Sequence, residues 1–250
     1  MKAKHRIFNL IILDESGSME CIKEPTIKGF NELVQSIKTA RKQFPEQEHT
    51  ITFITFNSSG IKTPIVNQPV DEIDSISEEL YHPNSMTPLY DAMGLGIGMI
   101  KKFTAKGQNY NVLVTVLTDG LENASREYTS QQIKNSIEEL KLKNWTFTYI
   151  GTDHDVTGFA KNISINNVMV FDKSLGGVHV LFKREVDARA AYYENISKGG
   201  KAGIDYFGDG KDKDDNTSDE STKEKGDANK DKHRKSLEKP GRNKKNPESA

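Results

Sequence analysis

Three oxygen-bearing side chains stand at alternate positions in the stretch Asp14-Glu15-Ser16-Gly17-Ser18. Gly17 lets the backbone bend between the two serines. A carboxylate and two hydroxyls spaced in this way are hard donors, suited to Mg²⁺, Mn²⁺ or Ca²⁺ rather than to zinc or copper. Taken alone the segment reads as an ordinary polar turn, because Asp, Ser and Gly are what turns are made of. Two later segments offer matching oxygens. Thr87 opens Thr-Pro-Leu-Tyr-Asp-Ala, and Asp119 follows Val112–Thr118 in the run Leu-Thr-Asp-Gly.

These donors need elements to hold them. In Ile7–Leu13 six of seven residues are apolar, with only Asn9 interrupting, which is how a strand covered on both faces reads. Val112–Thr118 is a second such strand, so Asp14 and Asp119 both stand at strand ends. Between them, Thr26 is expected to cap a helix carrying Ile27, Phe30, Leu33, Val34, Ile37 and Phe44 at helical spacing, ended by Pro45. His49–Phe56 and Ile61–Val66, joined by Asn57-Ser58-Ser59-Gly60, predict a hairpin whose second strand is an antiparallel edge. Asp71–Leu80 is weakly helical. Thr87 is expected to be an N-cap with Pro88 at the first helical position, opening a helix that runs to about Phe103. Gly94, Gly96 and Gly98 lie inside that helix, not in a strand-to-helix turn, so they predict close packing against the sheet and not a nucleotide loop.

Further on, Thr129 or Ser130 caps a helix with Ile133, Ile137 and Leu140 inward. Trp145–Ile150 reads as a strand, followed by a short helix, a strand at Val168–Phe171 and a last helix from about Ser174 to Ser197. Alternating strands and helices predict an α/β fold: a doubly wound, mostly parallel sheet with one antiparallel edge strand and helices on both faces. Ligands of such sheets bind beyond the carboxyl ends of the strands. Asp14 and Asp119 fall there, and Thr87 reaches them from a loop.

Asp14-x-Ser16-x-Ser18, then Thr87, then Asp119 resembles the metal-ion-dependent adhesion site of von Willebrand factor A (vWA) domains, in order and in separation. Ser85 and Met86 stand where members of that family often carry glycine. The resemblance implies a Rossmann-like fold in which Ser16, Ser18 and Thr87 contact an ion, with Asp14 and Asp119 binding directly or through waters. Mg²⁺ is the implied ion, with Mn²⁺ or Ca²⁺ as alternatives. The implied partner is a protein presenting an Asp or Glu to the ion's open position. Across residues 5–197 the chain is most similar to bacterial cytoplasmic vWA proteins, including those of tellurium-resistance operons.

Two rival classes fit less well. Haloacid-dehalogenase-like phosphatases also run a strand into an aspartate, but their acid–base aspartate two residues later is replaced here by Ser16. No histidine lies in a motif that serves a serine nucleophile, so the chain is read as no enzyme, with a metal-dependent phosphatase-like hydrolase as the alternative. Nucleic-acid binding through the basic end, Lys232-His-Arg-Lys235 and Lys244-Lys245, is disfavoured by the acids among those residues. Asp91 is read as favouring a helix dipole, Glu122 and Asn123 as orienting waters, and Asp153, His154 and Asp155 as a polar loop.

The chain has 250 residues and a formal net charge of −1, unevenly distributed. Apolar and aromatic side chains concentrate in residues 1–198, which predict one vWA-like domain. Residues 199–250 alternate in charge and predict a disordered tail. The single cysteine, Cys21, excludes an intramolecular disulfide. No stretch has the length of a membrane span and no secretory signal is recognisable, so the expected location is cytoplasmic.

Overall fold

The first strand, β1 (His5–Asp14), sits at the middle of the fold because both of its faces are apolar. In a computed structural model that describes residues 4–105, 107, 109–152, 155–200 and 205–208, Ile7, Ile11 and Leu13 turn to one face of the sheet and Phe8, Leu10 and Ile12 to the other. Each of these six side chains is at most 4% exposed, and burying one contributes about 1.5–3 kcal/mol. β1 pairs in parallel with β2 (Gln47–Asn57) and with β4 (Tyr110–Thr118). β4 pairs in parallel with β5 (Trp145–Gly151), and β5 with β6 (Asn167–Val170). β3 (Gly60–Pro69) closes the other edge antiparallel to β2, giving a six-stranded sheet in the order β3-β2-β1-β4-β5-β6. The expected sheet is therefore the observed one, antiparallel edge included.

Helices α1 (Lys23–Gln43) and α5 (Leu175–Ser197) cover the face of Ile7, Ile11 and Leu13. Helices α2 (Leu89–Thr104), α3 (Ser130–Lys141) and α4 (Val156–Asn162) cover the other. Asn9, the polar interruption of β1, is completely buried and explained by α5. Its Oδ1 accepts from Arg189 Nη1 at 2.8 Å and Tyr193 Oη at 2.5 Å, and its Nδ2 donates to the Thr50 carbonyl at 3.0 Å. Arg189 also donates to Thr115 Oγ1 and Glu185 Oε1, each at 2.7 Å. Arg189, paired with Glu185 on the same helix, thus ties α5 to the centre of the sheet through Asn9 and Thr115.

Three local expectations are corrected. Thr26 is not a cap: a 3-10 turn, Gly17–Ile22, leads directly into α1, which begins at Lys23 with Pro25 in its first turn, where a missing N–H is tolerated. Thr26 instead lies inside the helix and is buried. The stretch Asp71–Leu80 forms only two 3-10 turns, Val70–Glu72 and Glu78–Leu80. Asn31 explains this, because its side-chain amide donates to the Ile76 carbonyl at 3.0 Å and accepts from the Ile76 N–H at 2.8 Å, holding the backbone extended. Thr87 does not cap α2, whose first helical residue is Leu89.

Of the α2 glycines, Gly96 packs against the sheet as expected, whereas Gly94 packs against a ring from the segment before α3. A Cβ on Gly94 would lie 2.5 Å from the Tyr128 ring, and one on Gly96 would lie 3.0 Å from Ile54 and 3.1 Å from Leu10, whereas one on Gly98 would meet nothing. Most of the stretch expected as a tail lies outside the described residues. Within it, Tyr206 is buried, donating from Oη to Glu185 Oε1 and from its N–H to Asn167 Oδ1, each at 3.1 Å. Among the described residues, no helix is long and apolar enough to cross a membrane.

Candidate metal centre

β1 and β4 are adjacent and parallel, with Leu13 opposite Leu117, so the residues just past them emerge side by side at the carboxyl edge of the sheet. Asp14 closes β1 with its carboxylate completely buried. Its Oδ1 accepts from the Ser16 N–H at 2.7 Å, and its Oδ2 accepts from Thr118 Oγ1 at 2.6 Å. Burial pushes its pKa up from 3.8 to about 6; the hydrogen bonds from Thr118 and Ser16 oppose that rise, and the nearby Asp119 carboxylate adds to it. The Asp14 carbonyl is held in turn by Tyr81 Oη at 2.6 Å.

From Asp14 the chain turns so that Ser16 and Ser18 present hydroxyls 3.1 Å apart, the second donating to Asp119 Oδ1 at 2.5 Å. Asp119 is buried, and no donor is aligned on its Oδ2 as in a hydrogen bond. Lys173 Nζ forms an ion pair with that oxygen at 2.5 Å. Next to Asp119, Gly120 stands between the Thr87 and Ser18 hydroxyls. A Cβ there would stand 3.5 Å from Thr87 Oγ1 and 3.8 Å from Ser18 Oγ, with no nearer atom outside its own neighbours. The Thr87 hydroxyl therefore flanks Gly120 together with that of Ser18.

Asp14, Ser16, Ser18 and Asp119 are thus directly linked, and Thr87 faces them across Gly120. Two carboxylates and three hydroxyls around a recess, with one carboxylate oxygen lacking an aligned donor, fit a hard divalent ion that keeps several waters. They do not form a cluster of three or more His, Cys, Asp or Glu, and none such occurs among the described residues.

Why Thr87 is left with its hydroxyl available is seen at the start of α2. Helix N-termini expose N–H groups that need acceptors. Here Glu122 Oε2 accepts from Tyr90 N at 3.0 Å and Ser125 Oγ accepts from Asp91 N at 3.1 Å, so the cap comes from the β4–α3 loop. Asn123 pairs with Thr87 at both backbone groups, Oδ1 accepting from Thr87 N at 2.8 Å and Asn123 N donating to the Thr87 carbonyl at 3.1 Å. Asp91 accepts the N–H groups of Arg126, Glu127 and Tyr128 at 2.8–2.9 Å. Glu122, Asn123 and Asp91 therefore brace the loops of the site, a role beyond the water-orienting and dipole roles expected of them.

Sequence reasoning missed Glu15 and Lys173. Glu15 is completely buried, and its Oε1 accepts from His82 N at 2.6 Å and Lys62 Nζ at 2.9 Å. Together with a hydrogen bond from Asn84 N to the Glu15 carbonyl at 2.9 Å, this seats residues 82–84 beside β1. Ser85 has φ +67°, the left-handed region that glycine occupies without cost. Its carbonyl accepts from Gly17 N at 3.1 Å, and its hydroxyl contacts that of Ser58. Asp155 caps α4, accepting from Gly158 N at 2.9 Å, while Asp153 and His154 lie outside the described residues.

No family model and no curated protein matches the chain. Among solved structures it is similar to part of the pilus adhesin SpaC from Lactobacillus rhamnosus GG, with a TM-score of 0.58 at 14% identity. That match covers 77% of this chain and only 31% of the adhesin. It is also similar to the vWF domain of the type V pili tip protein Mfa5 from Porphyromonas gingivalis, with a TM-score of 0.48, 10% identity, and coverage of 78% and 95%. The SpRpn10 VWA domain matches with a TM-score of 0.48 at 8% identity, over 71% of this chain and 94% of that one. At such identities the likeness is one of fold. Strand order, antiparallel edge and helical layers make this a doubly wound, mostly parallel α/β fold.

Proposed function

We propose that this chain is a divalent-metal-dependent protein-interaction module whose ion, Mg²⁺ in the first instance, is held by Asp14, Ser16, Ser18, Thr87 and Asp119. The observation that carries the reading is the meeting of those five oxygen-bearing side chains around the recess beside Gly120. When bound, the ion supplies an incompletely neutralised positive charge with an exchangeable water position, to which a partner's Asp or Glu can bind. The protein's own part is positional. Thr118 and the Ser16 N–H orient Asp14, Ser18 orients Asp119, and Asn123 fixes Thr87. Specificity then falls to the segments flanking the site, among them Leu121–Arg126 with its exposed Leu121.

A hydrolytic role is not proposed. Both Asp14 oxygens already accept hydrogen bonds, and Ser16, two residues on, offers no carboxyl group for proton transfer. The proposed kinship is with bacterial cytoplasmic vWA proteins of the tellurium-resistance type. The exposed free thiol of Cys21 is compatible with a reducing compartment.

The test is capture of partners from the native cell by the full chain with Mg²⁺ or with chelator, repeated with Thr87→Ala and Thr87→Ser. Partners retained only with Mg²⁺ and by wild type and Thr87→Ser, then lost when a partner Asp or Glu becomes Asn or Gln, support the reading. Partners indifferent to chelator and to Thr87→Ala contradict it. So does a metal-dependent phosphatase activity that vanishes in Asp14→Ala.

A further inference from the structure

β6 lies two strands from β4, yet the segment after it returns a side chain to the Asp119 carboxylate. Val170 ends β6, Ser174 caps α5 by accepting from Gly177 N at 3.1 Å, and Lys173 stands between them. Its Nζ is 2.5 Å from Asp119 Oδ2; the lysine side chain is 19% exposed and the carboxylate 0%. Surface lysines pair with carboxylates for little gain, but this ammonium has been drawn towards a buried carboxylate at the candidate metal site. The contacted oxygen, moreover, has no hydrogen-bond donor aligned on it. Asp119 Oδ1 is taken by Ser18, so Oδ2 is the oxygen left for a cation.

We infer that Lys173 is the resident cation of the metal-free site, and that a divalent ion binds by exchanging with its ammonium at Asp119. This rests on the metal reading given above. An ammonium and a divalent ion on one carboxylate oxygen repel each other, so the ion's arrival releases Lys173. Without Lys173 the buried Asp14 and Asp119 carboxylates face each other with less compensation, a situation that costs folding energy. The lysine therefore keeps the empty site folded and lowers its metal affinity in the same act. By linkage, whatever the ion gains from Asp119 is reduced by what Lys173 gives up.

The experiment titrates Mn²⁺ into the full chain calorimetrically for wild type, Lys173→Met and Lys173→Arg. Methionine keeps an unbranched side chain of similar reach without the charge. Lys173→Met is expected to bind Mn²⁺ about tenfold more tightly or better, the scale of one partly buried ion pair given up by the competitor. Its metal-free melting temperature falls, and Lys173→Arg stays near wild type. If wild type binds Mn²⁺ and Lys173→Met binds it equally or more weakly, the exchange is wrong while the metal reading stands. If neither binds, the metal reading fails and the exchange with it. Should Lys173→Met not fold, acylation of lysines in the wild-type chain, read by mass spectrometry, decides the point. Lys173 is expected to be protected in chelator and labelled several-fold faster with Mn²⁺; equal labelling in both overturns the exchange.

Discussion

Replacing Asp14 by asparagine keeps the shape of the side chain and removes its charge, which isolates what burial of that charge costs the metal-free protein. The native carboxyl has its pKa pushed up from 3.8 to about 6, chiefly by burial. In the unfolded chain it ionises near its ordinary value, so between those limits the native state holds more protons than the unfolded one. Stability from this group is therefore complete below pH 3.8 and is lost as pH rises through about 6. The full difference corresponds to about 3 kcal/mol at neutral pH. Asparagine avoids that loss but presents one acceptor oxygen to two donors, Ser16 N and Thr118 Oγ1. The unmet donor costs about 1–2 kcal/mol. In chelator at pH 7.5, Asp14→Asn is thus expected to be more stable than wild type by about 1–2 kcal/mol, a rise of about 3–6 °C in melting temperature. At pH 4 the advantage disappears or reverses. With saturating Mg²⁺ at pH 7.5 the order inverts, because only wild type gains from the ion. Urea and thermal unfolding of the two proteins across this pH range measure it. An advantage that is absent at pH 7.5, or that grows on acidification, refutes the reasoning.

Other outcomes follow from the same contacts. Thr87→Ala in chelator lowers unfolding free energy by only about 0.5–1.5 kcal/mol, the scale of one buried methyl, because Glu122 and Ser125 cap α2, yet removes most of the Mg²⁺-induced rise in melting temperature. Arg189→Leu strands Glu185 in the core and lowers stability by about 3–5 kcal/mol in urea unfolding. The His49 imidazole is held neutral by burial first and by the Arg189 charge second, its pKa pushed down to about 3, so its NMR resonances stay flat from pH 8 to pH 5.

The parts of this molecule that were legible in its sequence are those written in local pattern. β1 and β4 announce themselves by unbroken apolar runs, and the Asn-Ser-Ser-Gly turn predicts the β2–β3 hairpin and its antiparallel edge. Asp14, Ser16, Ser18 and Asp119 share a motif and come together because the ends of adjacent parallel strands fall side by side. What escaped depends on contacts between distant residues. Residues 71–80 have a helical apolar spacing, but Asn31 holds Ile76 extended. Thr87 before Pro88 looks like a cap until Glu122 and Ser125 arrive from another loop to do that work. Nothing near Lys173 or Glu15 in the chain indicates that one pairs with Asp119 and the other with Lys62 and His82.

The central claim is that the recess beside Gly120 holds one divalent ion, and electron paramagnetic resonance of Mn²⁺ tests it most directly. Adding the full chain to dilute Mn²⁺ is expected to remove the free-ion signal to a stoichiometry of about one ion per chain. Excess Mg²⁺ should restore the signal, and Asp119→Ala should leave it unquenched throughout. A free-ion signal that persists alongside wild type, or quenching that is equal in Asp119→Ala, contradicts the account.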